Sequence, residues 1–226
     1  MKIGVLLSGS GVYDGSEIQE AVLTFLAIAE AGAQYKCFAP DKNQAHVINH
    51  LTGEEMPETR NVLVESARIA RGEVAPLIEA SAADMDALVI PGGFGAAKNL
   101  NRWAFEGPKG SIDPEVKRII LDMLAAGKPI AGLCMGPTVI AKALEGSSYH
   151  ARLTVGTDQE ASPYDIKGIS EGMHMIGATP VMRSVHEIEI HTELKIVTAP
   201  CYMMQADILT VRNNIQQAIQ AMIALA

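Results

Sequence analysis

Cys134 lies in the stretch GKPIAGLCMGPTVIAKAL, residues 127–144, with Gly132 and Gly136 two residues to either side. Gly-x-Cys-x-Gly is the spacing of a nucleophile elbow, with sulfur where a hydrolase places a serine oxygen. The turn is sharp and the strand and helix beside it crowd it, which is why glycines flank the nucleophile. Pro137 suits the first turn of a helix, where its missing N–H costs nothing. The thiol is therefore expected at a helix N-terminus, whose free N–H groups and partial positive charge favour a thiolate. An isolated cysteine is more often a small buried hydrophobe; the elbow spacing sets Cys134 apart.

A nucleophile of this kind needs an oxyanion site and a proton carrier. VIPGGFGAAKNL, residues 89–100, reads as a buried strand ending in Gly92 and Gly93. Backbone N–H groups in such a turn can face an anion, and the Met135 amide is the second expected donor. Glu17 and Glu20 are three apart in the first turn after a glycine-rich loop and share a face. Two acids there also complement a helix dipole. A carboxyl hydrogen-bonded to a thiolate tends to stay protonated, because two touching anions repel.

Around these residues the chain alternates strands and helices. Strands are expected at Lys2–Leu7, 34–40, 86–93, Pro129–Leu133, 153–157, near 179–182 and 185–190, and at 195–199. Helices are expected from Ser16 as N-cap to Gly32, at Glu58–Arg71, Asp113–Ala126 and Pro137–Glu145, around 162–174, and at Gln205–Leu225. This order predicts one α/β domain over residues 1–226, a three-layer sandwich around a mostly parallel sheet. The site should lie beyond the C-terminal ends of the strands. The loops after Leu7 and Pro91 and the turn at Cys134 all fall there.

Other patterns carry less. His191-Thr-Glu193 matches the H-x-E of class I glutamine amidotransferases, yet it reads as a hairpin tip. His186 reads as a solvated residue on an alternating strand. Gly9-Ser-Gly-Val-Tyr-Asp-Gly15 is an imperfect dinucleotide fingerprint. His46, His50 and Glu54 fit a solvated helix face better than a metal site, so no metal or cofactor is expected. Cys37 reads as core and Cys201 as structural near the site rim. Trp103 and Phe105 could line a pocket or a dimer contact.

With 18 Lys and Arg against 26 Asp and Glu, the net charge is −8. That disfavours nucleic-acid binding and a basic membrane-docking face. No apolar run is long enough to span a bilayer, and the first is too short for a signal-peptide core. Three widely spaced cysteines form no disulfide framework, so a reduced, cytoplasmic location is expected.

Taken together, VIPGGFGAAKNL, GLCMGP and the opening KIGVLLSGSGVYDGSEIQEAV resemble the ThiJ/PfpI superfamily, and more closely its ElbB branch of enhancing-lycopene or glyoxalase-like proteins. The resemblance covers residues 1 to about 210. It implies a flavodoxin-like, class I glutamine amidotransferase-like fold, a homodimer, and Cys134 as nucleophile. It also implies an acid on the first helix contacting that cysteine, Glu20 by position with Glu17 second, and oxyanion donors at Gly93 and Met135. The implied activity is cofactor-independent, glyoxalase-like or deglycase-like chemistry on small 2-oxoaldehydes, with a possible link to isoprenoid metabolism. A non-catalytic redox sensor or partner-binding protein using Cys134 is the alternative. The sequence departs from the superfamily in two places. Protease-like members carry a histidine directly after the cysteine, where this chain has Met135. A second family histidine would fall in LTVGTD, where Gly156, Thr157 and Asp158 stand instead.

Overall fold

The apolar runs between glycine-bearing loops become the inner strands of one sheet. The computed structural model describes residues 1–226. In chain order the elements are β1 (Lys2–Leu6), α1 (Ile18–Glu30), β2 (Gln34–Ala39), α2 (Val62–Ile69), β3 (Val74–Pro76), β4 (Ala87–Ile90), α3 (Trp103–Glu106), α4 (Pro114–Ala125), β5 (Ile130–Leu133), α5 (Gly136–Leu144), β6 (Arg152–Leu153), α6 (Ile166–Met175), β7 (Thr179–Pro180), β8 (Glu189–His191), β9 (Ile196–Ala199) and α7 (Ile208–Ala224).

Seven strands form the main sheet in the order β3-β2-β1-β4-β5-β9-β8. All neighbours are parallel except β8, which runs antiparallel to β9. β4, β5 and β9 are buried at every residue, as strands covered on both faces must be. Helix α1 packs on α7 and α4 on α5, which supplies the flanking layers of a flavodoxin-like, amidotransferase-like α/β fold. Chain order runs outward from β1 to β3 on one side and from β4 through β5 to β9 on the other. A crevice therefore opens between β1 and β4 at their C-terminal ends, and β5 delivers its own end beside it.

Several element ends differ from the sequence expectation for local reasons. Ser16 does not cap α1; its Oγ accepts the Ser8 N–H at 2.9 Å. Glu17 is the cap instead, its Oε2 accepting the Glu20 N–H at 2.6 Å. The helix expected from Glu58 starts at Val62, because Asn61 caps it by accepting from Val64 N at 3.1 Å. The strand expected over 153–157 ends at Leu153. Beyond it Thr154 N donates to Thr198 Oγ1 and Gly156 N to Thr154 Oγ1, side-chain bonds that replace the ladder. No helix carries His46 and His50; Ile48 instead bridges antiparallel to Glu55.

Candidate active site

β5 ends at Leu133 and α5 begins at Gly136, so Cys134 and Met135 make the whole turn. Cys134 takes φ of 55°, the left-handed region that non-glycine residues rarely enter. Its N–H donates to Ala199 O at 2.9 Å, which pins the turn to β9. This is backbone strain held by surrounding structure, as at other nucleophile elbows.

Glu20 reaches the cysteine from α1. It is fully buried, and its carboxyl stands beside the Cys134 thiol, both against Gly92. Oε2 also accepts the Gly92 N–H, and Oε1 the Tyr202 N–H, each at 3.1 Å. Glu17 stands one turn earlier, half-buried, and is the neighbour of the pair rather than its member. The two glycines expected here do different things. The Gly92 N–H is taken up by Glu20, while the N–H groups of Gly93 and Met135 face the Cys134 sulfur. Neither of those two amides has a backbone carbonyl partner. A Cβ on Gly92 would stand 2.3 Å from the Cys134 Cβ and 2.6 Å from Glu20 Oε2. Gly93 has φ of 93°, and a Cβ there would stand 2.3 Å from Glu17 N.

The electrostatics overturn one expectation. Burial pushes the Cys134 thiol well above its ordinary range, and the Glu20 carboxyl beside it adds to the rise. The Gly93 and Met135 N–H groups oppose this and lose, so the thiolate favoured by a helix N-terminus does not prevail. Burial likewise raises Glu20 to about 8, with the Glu17 charge adding to it. Glu17 is raised by burial, against the N–H groups at the start of α1. Two acids in contact share one low-dielectric pocket, and neither ionises at its ordinary pH. Such a pair titrates as a unit.

Cys134 opens onto a narrow cavity of about 70 Å³, walled mostly by apolar side chains that include Val12, Phe94, Ala104 and Ile169. An open vestibule of about 600 Å³ adjoins it. Val12, Glu17, Tyr164 and Tyr202 line both. Burial pushes Tyr164 up to about 12, and it stands close enough to feel Cys134 and Glu20.

Sequence reasoning did not find Tyr164 or Tyr202. Tyr164 precedes α6 in a loop with no motif. Tyr202 follows Cys201, itself at φ of 49° with its N–H held by Asn214 Oδ1 at 2.9 Å. That second strained turn aims the Tyr202 N–H at Glu20. Cys201 is buried beside the site, and Cys37 is core, its thiol pushed up to about 12 by burial. Trp103 is core, packed where Gly172 leaves room, and Ala104 reaches the cavity in its place.

No histidine lines either cavity. His191 pairs with Ile196 at the start of β9, the end of the sheet opposite Cys134, and its Nδ1 accepts the Arg152 N–H at 2.9 Å. His186 is exposed. His50 Nε2 accepts the Tyr13 N–H at 3.2 Å, and His46 lies edge-on to Phe105. No group of three or more His, Cys, Asp or Glu is placed to hold a metal ion.

A flavodoxin-like sheet with a cysteine at the elbow after β5 and an acid delivered from α1 defines the class. The chain belongs to the DJ-1/PfpI family, whose model matches residues 11–155. It is 38% identical, over 99% of its length and 83% of the relative's, to a human glutamine amidotransferase-like class 1 domain-containing protein 3, mitochondrial. A rat mitochondrial ES1 protein homolog is also 38% identical, over 99% of this chain and 84% of its own. These mitochondrial relatives overturn the expected cytoplasmic location. Among solved structures, an isoprenoid biosynthesis protein with an amidotransferase-like domain from Ehrlichia chaffeensis superposes with a TM-score of 0.90 at 34% identity, covering 100% of this chain and 99% of that one. Glyoxalase III from Candida albicans shares the fold, with a TM-score of 0.61 at 15% identity over 98% of this chain and 97% of its own. No helix is long and apolar enough to cross a membrane.

Proposed function

We propose that this protein is a cofactor-independent, glyoxalase-like or deglycase-like enzyme acting on small 2-oxoaldehydes through Cys134. The observation that carries the reading is the buried Glu20 carboxyl packed beside the thiol of Cys134, which itself opens onto a small cavity. A carboxyl with a pKa of about 8 is matched to taking and returning protons near neutral pH. In its ionised form Glu20 takes the thiol proton as the sulfur adds to the aldehyde carbon. The N–H groups of Gly93 and Met135 meet the negative charge that develops on oxygen. Glu20 returns its proton to that oxygen, giving a hemithioacetal. It then removes the former aldehyde C–H proton to give an enediolate, the hemithioacetal O–H proton passes to the neighbouring ketone oxygen, and Glu20 delivers its proton to the neighbouring carbon. The product is a thioester of the 2-hydroxy acid. Water hydrolyses it and frees the thiol.

The other readings have weaker support. A redox sensor works best with an exposed thiolate, and Cys134 is buried with a raised pKa. An amidotransferase-like hydrolase needs a base such as histidine, and none lines the cavity. A link to isoprenoid metabolism rests on the name of the Ehrlichia relative alone.

The test is conversion of methylglyoxal to lactate without glutathione. The wild type should turn over continuously, and Cys134→Ala should lose about a hundredfold or more. Absence of turnover in the folded wild type refutes the reading.

A further inference from the structure

The walls of the two cavities differ from the rest of the surface in charge. No Lys, Arg or His lines either one. Glu17 lines both, half-buried, with its carboxyl Oε2 held by the Glu20 N–H at 2.6 Å. Lys98 packs on Phe94, one of the lining residues, without lining either cavity itself. Its Nζ lies 5.3 Å from the Phe94 ring centroid and donates to Tyr13 O at 2.8 Å. The other polar side chains lining the vestibule are neutral: Gln19, Ser162, Gln205, Tyr164 and Tyr202, whose hydroxyl bonds Gln19 Oε1.

We propose that the Cys134 cavity selects carbonyl substrates by charge, with Glu17 as the selecting group. It admits neutral or amine-bearing cationic carbonyl compounds and turns away anions such as 2-oxo acids, phosphate esters and diphosphates. The proposal rests on Cys134 being the nucleophile, as above. Its physical basis is desolvation. An anion entering a cavity of about 70 Å³ leaves water, meets no cation, and approaches a carboxylate. A cation meets that carboxylate with attraction, and a neutral carbonyl needs only the Gly93 and Met135 amides. By the same reasoning a diphosphate has no counter-charge here, so any isoprenoid connection would not run through a diphosphate bound at this cysteine.

Charge selection can be read without turnover. Methanethiosulfonates bearing an ammonium, a sulfonate or a plain methyl group transfer their thio group to a cysteine, forming a mixed disulfide and releasing methanesulfinate. Rates at Cys134, followed by peptide mass spectrometry near pH 8, are normalised to free cysteine. The wild type should favour the ammonium over the sulfonate reagent by about tenfold or more. Glu17→Gln keeps an amide oxygen for the Glu20 N–H and should bring the ratio close to one. Gln205→Lys, at an exposed vestibule position, should shift it toward the sulfonate. A wild-type ratio near one with brisk methyl transfer, or a ratio that Glu17→Gln leaves unchanged, overturns the charge selection and leaves the nucleophile reading standing. Inertness of Cys134 to all three reagents in the folded protein overturns both.

Discussion

At the scale of residues, the site is one shared proton problem. Glu20 ionises at about 8 in the folded chain, against an ordinary 4.5. Between those values the folded state holds a proton that the unfolded state has released. Stability therefore falls as pH rises through this window, by roughly 5 kcal/mol at the limit, and the whole loss is present above the folded value. Glu20→Gln never ionises, so its unfolding free energy should lack this decline between about pH 5 and 8. It should carry instead a constant penalty of about 1–3 kcal/mol, because its amide NH₂ would face the N–H of Gly92 or Tyr202. Urea unfolding at several pH values checks this; parallel pH trends in the two proteins would contradict it. Catalysis follows the same group with the opposite sign. The base form of Glu20 appears only as pH rises, so kcat/KM for methylglyoxal should climb through about pH 8. A rate that is flat from pH 6 to 9 would remove Glu20 from the role of base.

At the scale of elements, what was legible in the sequence was local. The elbow around Cys134 could be read because its cause is local: glycines two residues away on either side let strand and helix close on the turn. The preference for Glu20 over Glu17 came from the resemblance and not from the residues themselves, because it depends on which residue caps α1. With Ser16 tied to Ser8, Glu17 becomes the cap and its side chain is occupied there. The helical frame then turns Glu20 inward. Tyr202 was invisible for a different reason: its amide reaches Glu20 only because β9 lies beside β5, a neighbour relation no local pattern states. The thiolate expectation failed because the helix N-terminus can be read in one dimension and burial cannot. The glycine turn after β4 gives a sharp test. Gly92→Ala puts a Cβ between Cys134 and Glu20, so it should cost about 1–3 kcal/mol of stability and separate the pair. Both urea midpoint and turnover should fall. A variant with wild-type activity would mean that the two side chains need not touch.

At the scale of the whole molecule, the sheet order places three loops and one helix start at a single rim, and the family membership follows from that arrangement together with the sequence match. The homodimer implied by the resemblance is a proposal about the outer surface. Ile18, Val22 and Leu26 lie at helical spacing on α1, and each is between 44% and 48% exposed, an apolar ridge that a second copy could cover. Sedimentation at micromolar concentration should give twice the 24.1 kDa chain mass, and Val22→Glu should return it to monomer. A wild-type monomer would discard the dimer without touching the site.

Cys134 and Glu20 form a coupled buried pair, and the alkylation rate of Cys134 against pH reads that coupling. In the wild type the midpoint should lie above that of a free thiol, at about 8.5. In Glu20→Gln, with the neighbouring charge removed, it should move down. A wild-type midpoint well below that of a free thiol, or one that Glu20→Gln leaves in place, would contradict the account.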